Sequence, residues 1–529
     1  MTNQKMIQTT NNKAIEKPII WTISGSDCSG GAGIAADIKT GHALSVEVCH
    51  LITANTVQNS IRLLSVNAVP IDILQQQVEV LTADKPPSVI KIGLIVTIEH
   101  VNWLAKTINQ LKLKNPSLIT IYDPVGQASV GGNFSSLTLD ELTPLLTLVD
   151  IITPNMNEAK RLAKTANSAA VEKLASSIYQ HFAISSIIIK GGHSDENTHC
   201  LDFCYHQLNQ IKQENQDKHK KPICYQLSSP RLDSHYSHGG GCSFASALSA
   251  FLAHGYLLRD AFTLSKAFIN EGLAVTMPIS TEKSHQYYGA FEQSTWPQTA
   301  QYFPQVCDEF TTQYKELPRF NDLALKGEKL GLYPVVDSLY WLKRLLPLGL
   351  NIIQLRVKNL AQSDLEQLII DAVALAKDYD TRLFINDYWQ LAIKHGAYGV
   401  HIGQEDLADA DLAKIQQAGL RLGISTHGCY EFLLAQQLKP SYLAIGAIFP
   451  TNTKDMTGQI QGVDNLKQLL TLRKQEDNTH VTPVVAIGGI TLKRAPEVLA
   501  TGVESIAVVT AITEAGEPEE AVKQLIDYI

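Results

Sequence analysis

IIQLRV (352–357), RLFIND (382–387), GVHIG (399–403) and RLGIST (421–426) form the stretch of this chain whose pattern decides a fold. Each is a short apolar run ending in polar or small residues. The pattern continues outward, with LYPVVD (332–337) before it and YLAIGAI (442–448), PVVAIGG (483–489) and SIAVVTA (505–511) after it. Amphipathic segments such as SDLEQLIIDAVALAKDY separate most of these runs. Eight strand–helix units in about 200 residues predict a compact (β/α)8 barrel over 329–529. Polar residues gather at the C-terminal ends of the strands, the face on which such barrels carry their chemistry.

The chain before the barrel has a different pattern. Ile- and Val-rich runs recur at 19–24, 48–53, 89–96, 118–125, 150–155 and 186–192, continuous rather than alternating. Such runs suit strands buried on both faces, so an α/β fold with a mainly parallel sheet and flanking helices is expected over 18–280. CLDFCYH (200–206) and ICYQLSS (223–229) read as a later hairpin around a polar excursion. Residues 1–17 form a polar tail. Residues 281–328 carry no strand signal and read as a connector with a helix near 306–317.

Composition narrows the function classes. The 529 residues are 45% hydrophobic and 18% charged, with 44 basic against 52 acidic residues and a net charge of -8. That balance argues against a nucleic-acid backbone or an anionic membrane as partner, while leaving phosphorylated small molecules open. No window reaches the ~18 consecutive apolar residues of a membrane helix, and the start lacks the apolar core of a signal peptide. Eight cysteines without a CxxC pair suggest reduced thiols and a cytoplasmic setting.

Two glycine clusters carry the chemistry of the first domain. Gly25-Ser26-Asp27-Cys28-Ser29-Gly30-Gly31-Ala32-Gly33 follows the first strand; alone it is as compatible with a tight turn as with a ligand loop. His238-Gly239-Gly240-Gly241-Cys242 opens a helix, so backbone N–H groups and the dipole's positive end converge where a transferring phosphoryl group would gain. Cys242 at that terminus is expected to have a lowered pKa, the plainer alternative being a small cysteine buried behind a loop. TPNMNEA (153–159) sets Asn155 and Glu158 at a spacing suited to hydrated Mg2+, although a capping carboxylate is the plainer reading of Glu158. IKGGH ends a buried strand in Lys190, suited to nucleotide phosphates or simply solvated.

GSDCSGGAGIAADIKT, TANTVQNS, KIGLI, DPV, TPNMNEA, IKGGH and HGGGCSFASALSA stand in the order of the hydroxymethylpyrimidine/phosphomethylpyrimidine kinases, which the chain resembles over about 18–280. The resemblance implies a ribokinase-like fold with Cys242 as base and the amides of Gly239, Gly240 and Gly241 as anion hole. It places Gly25, Asp27, Asp37 and Gln58 at the aminopyrimidine, and Asp123, Asn155, Glu158 and Lys190 on the ATP–Mg2+ side. Cys28, Gly240 and Gly126 depart from the family's Pro, Thr and Met.

In the barrel, Gln354, Arg356 and Lys358 alternate along one strand and face one side. Asp387 and Asp406 end neighbouring strands and could share one Mg2+, or merely cap helices. QLRVK, IND, HIGQED, GIST, IFPTNTK, IGGI and VVTAI resemble thiamine phosphate synthase over about 329–529. That resemblance implies a TIM barrel in which Gln354, Arg356, Lys358, Asn386, Ser425 and Lys454 bind a pyrimidine diphosphate. Asp387 and Asp406 hold Mg2+, and Thr451, Thr453, Gly489, Val509 and Thr510 bind a thiazole phosphate. Tyr388 and Thr510 depart mildly from the family pattern.

Together the resemblances imply a bifunctional thiamine-biosynthesis enzyme using ATP and Mg2+. Two rivals share some of these features: a pyridoxal/pyridoxine-type kinase fused to a phosphate-binding barrel, and a non-catalytic ligand-sensing fusion. A homo-oligomer is compatible with either domain.

Overall fold

The computed structural model describes residues 16–59, 62–126, 136–164, 170–192, 198–207, 221–232, 234, 236–277, 290–293, 295–307, 309–325, 329–358, 360–451, 460–473, 475–476 and 480–529. Thr453 and Lys454 lie outside these, as do most of the 126–133 stretch and of the polar excursion after 206.

The first half is a ten-stranded sheet. Its strands are β1 (Ile19–Asp27), β2 (Glu47–Gln58), β3 (Leu63–Ala68), β4 (Val89–Ile92), β5 (Ile119–Tyr122), β6 (Ile151–Ile152), β7 (Ser186–Ile189), β8 (His199–His206), β9 (Ile223–Pro230) and β10 (Gln305–Val306). They lie in the order β10-β9-β8-β7-β6-β5-β4-β1-β2-β3. Pairing from β7 across to β2 is parallel, whereas β3, β8, β9 and β10 join antiparallel. β4 and β5 are buried on both faces or nearly so, as continuous Ile/Val runs require when helices cover both sides. The chain leaves β1 toward β2 on one side and returns to β4 on the other. That reversal is a topological switch point, the place where open sheets of this kind bind their ligands.

Two strands depart from the expected pattern. β3 (LLSVNA) is mostly exposed and exists as the antiparallel partner of β2. β10 lies in the connector and pairs with β9, and Ala290 bridges to His238. The connector is therefore part of the sheet, and its expected 306–317 helix is a single turn, Glu309–Gln313.

The second half is a closed, all-parallel barrel. Its strands are β11 (Gly331–Val336), β12 (Ile352–Leu355), β13 (Arg382–Asn386), β14 (Gly399–Ile402), β15 (Arg421–Thr426) and β16 (Tyr442–Gly446). After a small hairpin, β17 (Gln475–Glu476) and β18 (His480–Val481), come β19 (Val484–Ile487) and β20 (Ser505–Val508). All eight barrel strands coincide with the apolar runs. Alternation divides their side chains. Leu332, Ile353, Leu383, Val400, Leu422 and Leu443 pack outward under the helices, while Tyr333, Ile352, Phe384, Tyr442, Val485 and Ala507 fill the interior.

The outer core is continuous with that of the first half, joining Phe244, Phe262 and Phe303 to barrel residues such as Leu433. Among the described residues, no helix is long and apolar enough to cross a membrane.

Candidate active sites

At the switch point, both glycine loops meet. Gly239 is the N-cap of helix Gly240–Ala253, at φ +79°. A Cβ there would stand 1.9 Å from the Gly31 carbonyl oxygen, so only glycine lets the second loop press onto the first. Asp27 ties them together. Its carboxylate accepts from the Ser29 and Ala32 amides at 2.9 Å each, from the Ser29 hydroxyl, and from His238 Nε2 at 2.9 Å. Burial pushes the Asp27 carboxyl up, but hydrogen bonds from His238, Ser29 and Gln58 outweigh it and hold the group well below the usual carboxylate range. Gln58, at the end of β2, is thus drawn to Asp27, and its carbonyl accepts from the Cys28 thiol.

Beneath the loops lies a row of alternating charge. Lys91 of β4, fully buried, donates to both Asp37 oxygens at 2.9 Å. Asp37 also accepts from Ser246 at 2.6 Å and from Thr22. Those bonds fill the roughly four lone-pair positions of a carboxylate. A pyrimidine could bond Asp37 only by replacing one of these partners. In this structure Asp37 holds Lys91 in place. Desolvation would drive Lys91 neutral, but Asp37, Cys242 and Asp123 raise its pKa and keep it charged.

Across the pocket, Lys190 donates to Asp123 at 2.8 Å and Thr153 donates to the same oxygen at 3.1 Å. Gly241 packs against both: a Cβ there would lie 3.3 Å from Lys190 Nζ and 3.6 Å from Asp123 Oδ2. Asn155 and Glu158 form a reciprocal capping box on helix Met156–Ala163, with the Asn155 amide donating to Glu158 at 2.8 Å. Burial raises the Glu158 pKa; Lys190 opposes that and Asp123 reinforces it, so Glu158 belongs to the same charge cluster while also capping.

Cys242 corrects an expectation. Burial pushes its thiol up to about 11, Asp123 and Asp37 push the same way, and Lys91 with the Gly33 amide oppose them. Cys242 is half-buried, and a helix dipole contributes at most ~2 kcal/mol, less than desolvation can shift a buried thiol. Burial wins, and the thiol is protonated at neutral pH.

In the barrel, alternation sends Gln354, Asn386, His401 and Ser425 inward. Gln354, His401 and Ser425 join in a chain across the interior: Gln354 donates to the Tyr333 hydroxyl at 3.2 Å, Tyr333 and Tyr442 share a 2.7 Å bond, Tyr442 meets His401 Nδ1 at 2.8 Å, and His401 Nε2 meets Ser425 Oγ at 2.8 Å. Burial depresses His401 to about 3, with the charges of Arg356 and His427 adding to the effect. β12 ends at Leu355, so Arg356 and the exposed Lys358 stand in the loop beyond it rather than on the strand.

Asp387 lies at φ +64°, a strained conformation for a non-glycine residue, and accepts from Asn386 and from the Gly403 amide. Burial raises its pKa to about 6 and the adjacent Asp406 carboxylate adds to that, while Arg356 and Gly403 lower it. Two carboxylates held together beside few cations fit a divalent cation that keeps water and phosphate ligands. Gly489, at φ +62°, packs on the Pro450 and Phe449 carbonyls one residue before Thr451, so these two expected phosphate contacts share one rim. Val509 and Thr510 open the short helix Thr510–Thr513 after β20.

Sequence reasoning missed Lys91, His238, Tyr333, Tyr442 and His401 as site members. Lys91 left a signal, because a lysine inside an apolar strand run requires a buried partner.

Residues 27–287 match the family model for phosphomethylpyrimidine kinase and residues 332–512 that for thiamine monophosphate synthase. Thiamine-phosphate synthase of Yersinia pseudotuberculosis serotype O:1b (strain IP 31758) is 58% identical over 202 residues, covering 38% of this chain and 91% of that protein. That of Photorhabdus laumondii is 56% identical over 198 residues, 37% of this chain and 89% of that protein. Among solved structures, phosphomethylpyrimidine kinase from Clostridium difficile 630 is 28% identical with a TM-score of 0.39, covering 48% of this chain and 99% of that one. Through its barrel the chain belongs to the thiamine-phosphate synthase family, and it joins that enzyme to a phosphomethylpyrimidine kinase domain as a bifunctional enzyme of thiamine biosynthesis.

Proposed function

We infer that residues 18–280 phosphorylate 4-amino-5-hydroxymethyl-2-methylpyrimidine and then its monophosphate from ATP. Residues 281–328 link this unit to 329–529, which condense the resulting diphosphate with 4-methyl-5-(2-phosphoethyl)thiazole. The observation that carries the reading is the complementarity of the two sites in one chain. One gathers helix amides and lysines around Cys242, and the other sets a carboxylate pair beside Arg356.

In the first site the substrate hydroxyl oxygen attacks the γ-phosphorus and ADP departs. The amides of Gly239–Gly241, with Lys190, face the charge on the transferring group. Cys242 takes the hydroxyl proton. It can do so only as the thiolate, so its own proton must first be lost. With the thiol pushed up to about 11 that form is a small fraction at neutral pH, and the neighbouring Lys91 charge is what favours it. Gly25, Asp27 and Gln58 shape the pyrimidine pocket, with Asp37 supporting it through Lys91. Asp123, Asn155, Glu158 and Lys190 form the ATP side.

In the barrel the CH2–O bond breaks and its electrons leave with pyrophosphate. The aminopyrimidine ring stabilises the cation, and the thiazole nitrogen donates its pair to form the C–N bond. Gln354, Arg356, Lys358, Asn386, Ser425 and Lys454 bind the diphosphate; Thr451, Thr453, Gly489, Val509 and Thr510 bind the thiazole phosphate. Asp387 and Asp406 would hold Mg2+, which supplies charge neutralisation for the departing pyrophosphate. No residue must act as a strong base, in keeping with a neutral His401. The enzyme works on small molecules in the cytoplasm, without nucleic acid or membrane.

The test is one tube of full-length protein, Mg-ATP, the hydroxymethylpyrimidine and the thiazole phosphate, with thiamine phosphate read as thiochrome fluorescence. Product that requires every component is expected. Absence of product, even with supplied pyrimidine diphosphate, would overturn the reading. A parallel arm with pyridoxine should give little turnover.

A further inference from the structure

Helix Cys429–Gln437 of the barrel starts three residues after the end of β15, the strand carrying Ser425, and its N-cap Gly428 supplies no side-chain cap. The missing acceptor comes from the other domain. Asp260, in the first turn of kinase-domain helix Leu258–Val275, accepts from the Tyr430 amide at 2.9 Å and from the Cys429 amide. Its neighbour Arg259 meets Glu431 at 2.6 Å. Glu431 in turn accepts from the His427 amide at 2.7 Å and from His427 Nδ1 at 2.9 Å. Asp260, Cys429, Tyr430 and Glu431 are all buried, and kinase-domain Tyr225 packs edge-on against Tyr430. A Cβ at Gly428 would fall 2.5–2.7 Å from the Asp260 carboxylate, so the glycine makes room for that carboxylate.

The joint leads directly into the barrel site. His427 is two residues from Ser425, whose hydroxyl is bonded to His401 and whose carbonyl accepts from Gln404. Gln461 holds the His427 carbonyl from the barrel side. Segment Ser425–His427 is thus fixed at one end by the barrel strands and at the other by Glu431 and Gln461. The kinase domain reaches it through Arg259 on Glu431 and through the Asp260 cap on the helix that carries Glu431. We propose that Arg259 and Asp260 are positioning residues of the synthase: the kinase domain supplies the cap that fixes the Ser425 edge of the pyrimidine-diphosphate subsite. The proposal rests on the assignment of Ser425 to that subsite.

Steady-state kinetics on the full chain test it. Asp260→Ala is expected to raise the synthase KM for pyrimidine diphosphate about tenfold with kcat within about twofold, the signature of lost ground-state binding. Kinase parameters in the same preparation stay at wild type and serve as the folding control. Asp260→Asn keeps an accepting oxygen, and asparagine caps helices as well as aspartate does, so it should restore KM to within about threefold of wild type. Gly428→Ala crowds the carboxylate without removing a charge; it should raise KM similarly, and it carries the test if Asp260→Ala does not accumulate folded. A wild-type KM in folded Asp260→Ala or Gly428→Ala, or an equal loss of both activities, overturns the proposal. Ser425→Ala separates the two levels. A raised KM there with an unchanged one in Asp260→Ala defeats only the interdomain cap, whereas a wild-type KM in Ser425→Ala removes the subsite assignment itself.

Discussion

Asp27 and His238 are 211 positions apart in the chain and 2.9 Å apart in the fold, and their bond locks the two glycine loops of the kinase site to each other. His238→Ala should leave a buried carboxylate short of a donor, at a cost of ~1–3 kcal/mol, and let the loops separate. A shift of ~1 Å in such a site can cost ~10²-fold in rate. Kinase kcat/KM is expected to fall by about that factor while synthase kinetics on supplied pyrimidine diphosphate stay unchanged. A wild-type kinase rate in this variant would show that the loops hold without the bond.

Lys91 and Asp37 form a fully buried ion pair, which predicts an asymmetry between single and double replacement. Lys91→Met strands a buried carboxylate and should cost about 3–5 kcal/mol, lowering the kinase-domain Tm by roughly 10 °C. Lys91→Met combined with Asp37→Leu removes both charges and should recover much of that stability, though not the kinase activity. Thermal melts of the two variants decide this, and equal losses would refute the pairing argument.

The legible and illegible parts of this molecule divide along physical lines. The barrel strands were readable because each is a short apolar run, buried on both sides and bounded by turn residues. β3 and β10 were not: LLSVNA is mostly exposed, QV is two residues long, and both exist only by pairing with a neighbour that sequence does not name. Glycine loops and strand ends stand out in the sequence because backbone position fixes what they face, and both glycine loops do meet in the fold. Burial is not legible in the sequence, so nothing there shows that Lys91, Ser246 and Thr22 fill the Asp37 carboxylate, or that desolvation raises the Cys242 thiol where the helix terminus alone would lower it. The Asp260 cap on the barrel helix had no local signal, since its two partners lie 170 residues apart.

Cys242, raised to about 11, should react as a reluctant thiol. At pH 8 a group of that pKa is about one part in 10³ thiolate, against about one in ten at the ordinary value of 9. Alkylation of Cys242 by iodoacetamide, followed by peptide mass spectrometry, should keep accelerating through pH 10 without a plateau. Limited access would slow the reaction at every pH but could not move the midpoint. A plateau by pH 8 would mean that the helix terminus outweighs burial after all.

The two sites should also be separable by mutation. Cys242→Ala is expected to abolish kinase turnover and spare the synthase, and Asp387→Ala to reduce synthase turnover by ~10²-fold or more and spare the kinase. A mixture of the two variants should make thiamine phosphate from the hydroxymethylpyrimidine, since diphosphate released by one can be used by the other. If either substitution silenced both activities in folded protein, the sites would not be independent.

His401 gives the barrel a pH dependence whose sign follows from its depressed pKa. Unfolded, the imidazole takes a proton near 6.5; folded, burial and the charges of Arg356 and His427 delay protonation to about 3. Between those values the unfolded state binds more protons, so stability is complete above about pH 6.5 and declines as pH falls toward 3. By pH 5 the loss should reach about 2 kcal/mol, and His401→Asn, which does not titrate, should escape it. The same shift means that the ring stays neutral across the working range, so it adds no limb to the synthase pH profile between pH 5 and 8. NMR of 13C-labelled histidine, with the resonance assigned by loss in His401→Asn, reads this directly. The signal should remain at its neutral position from pH 7.5 down to 5; a midpoint near 6.5 would mean that the buried chain from Gln354 to Ser425 does not hold His401 as described.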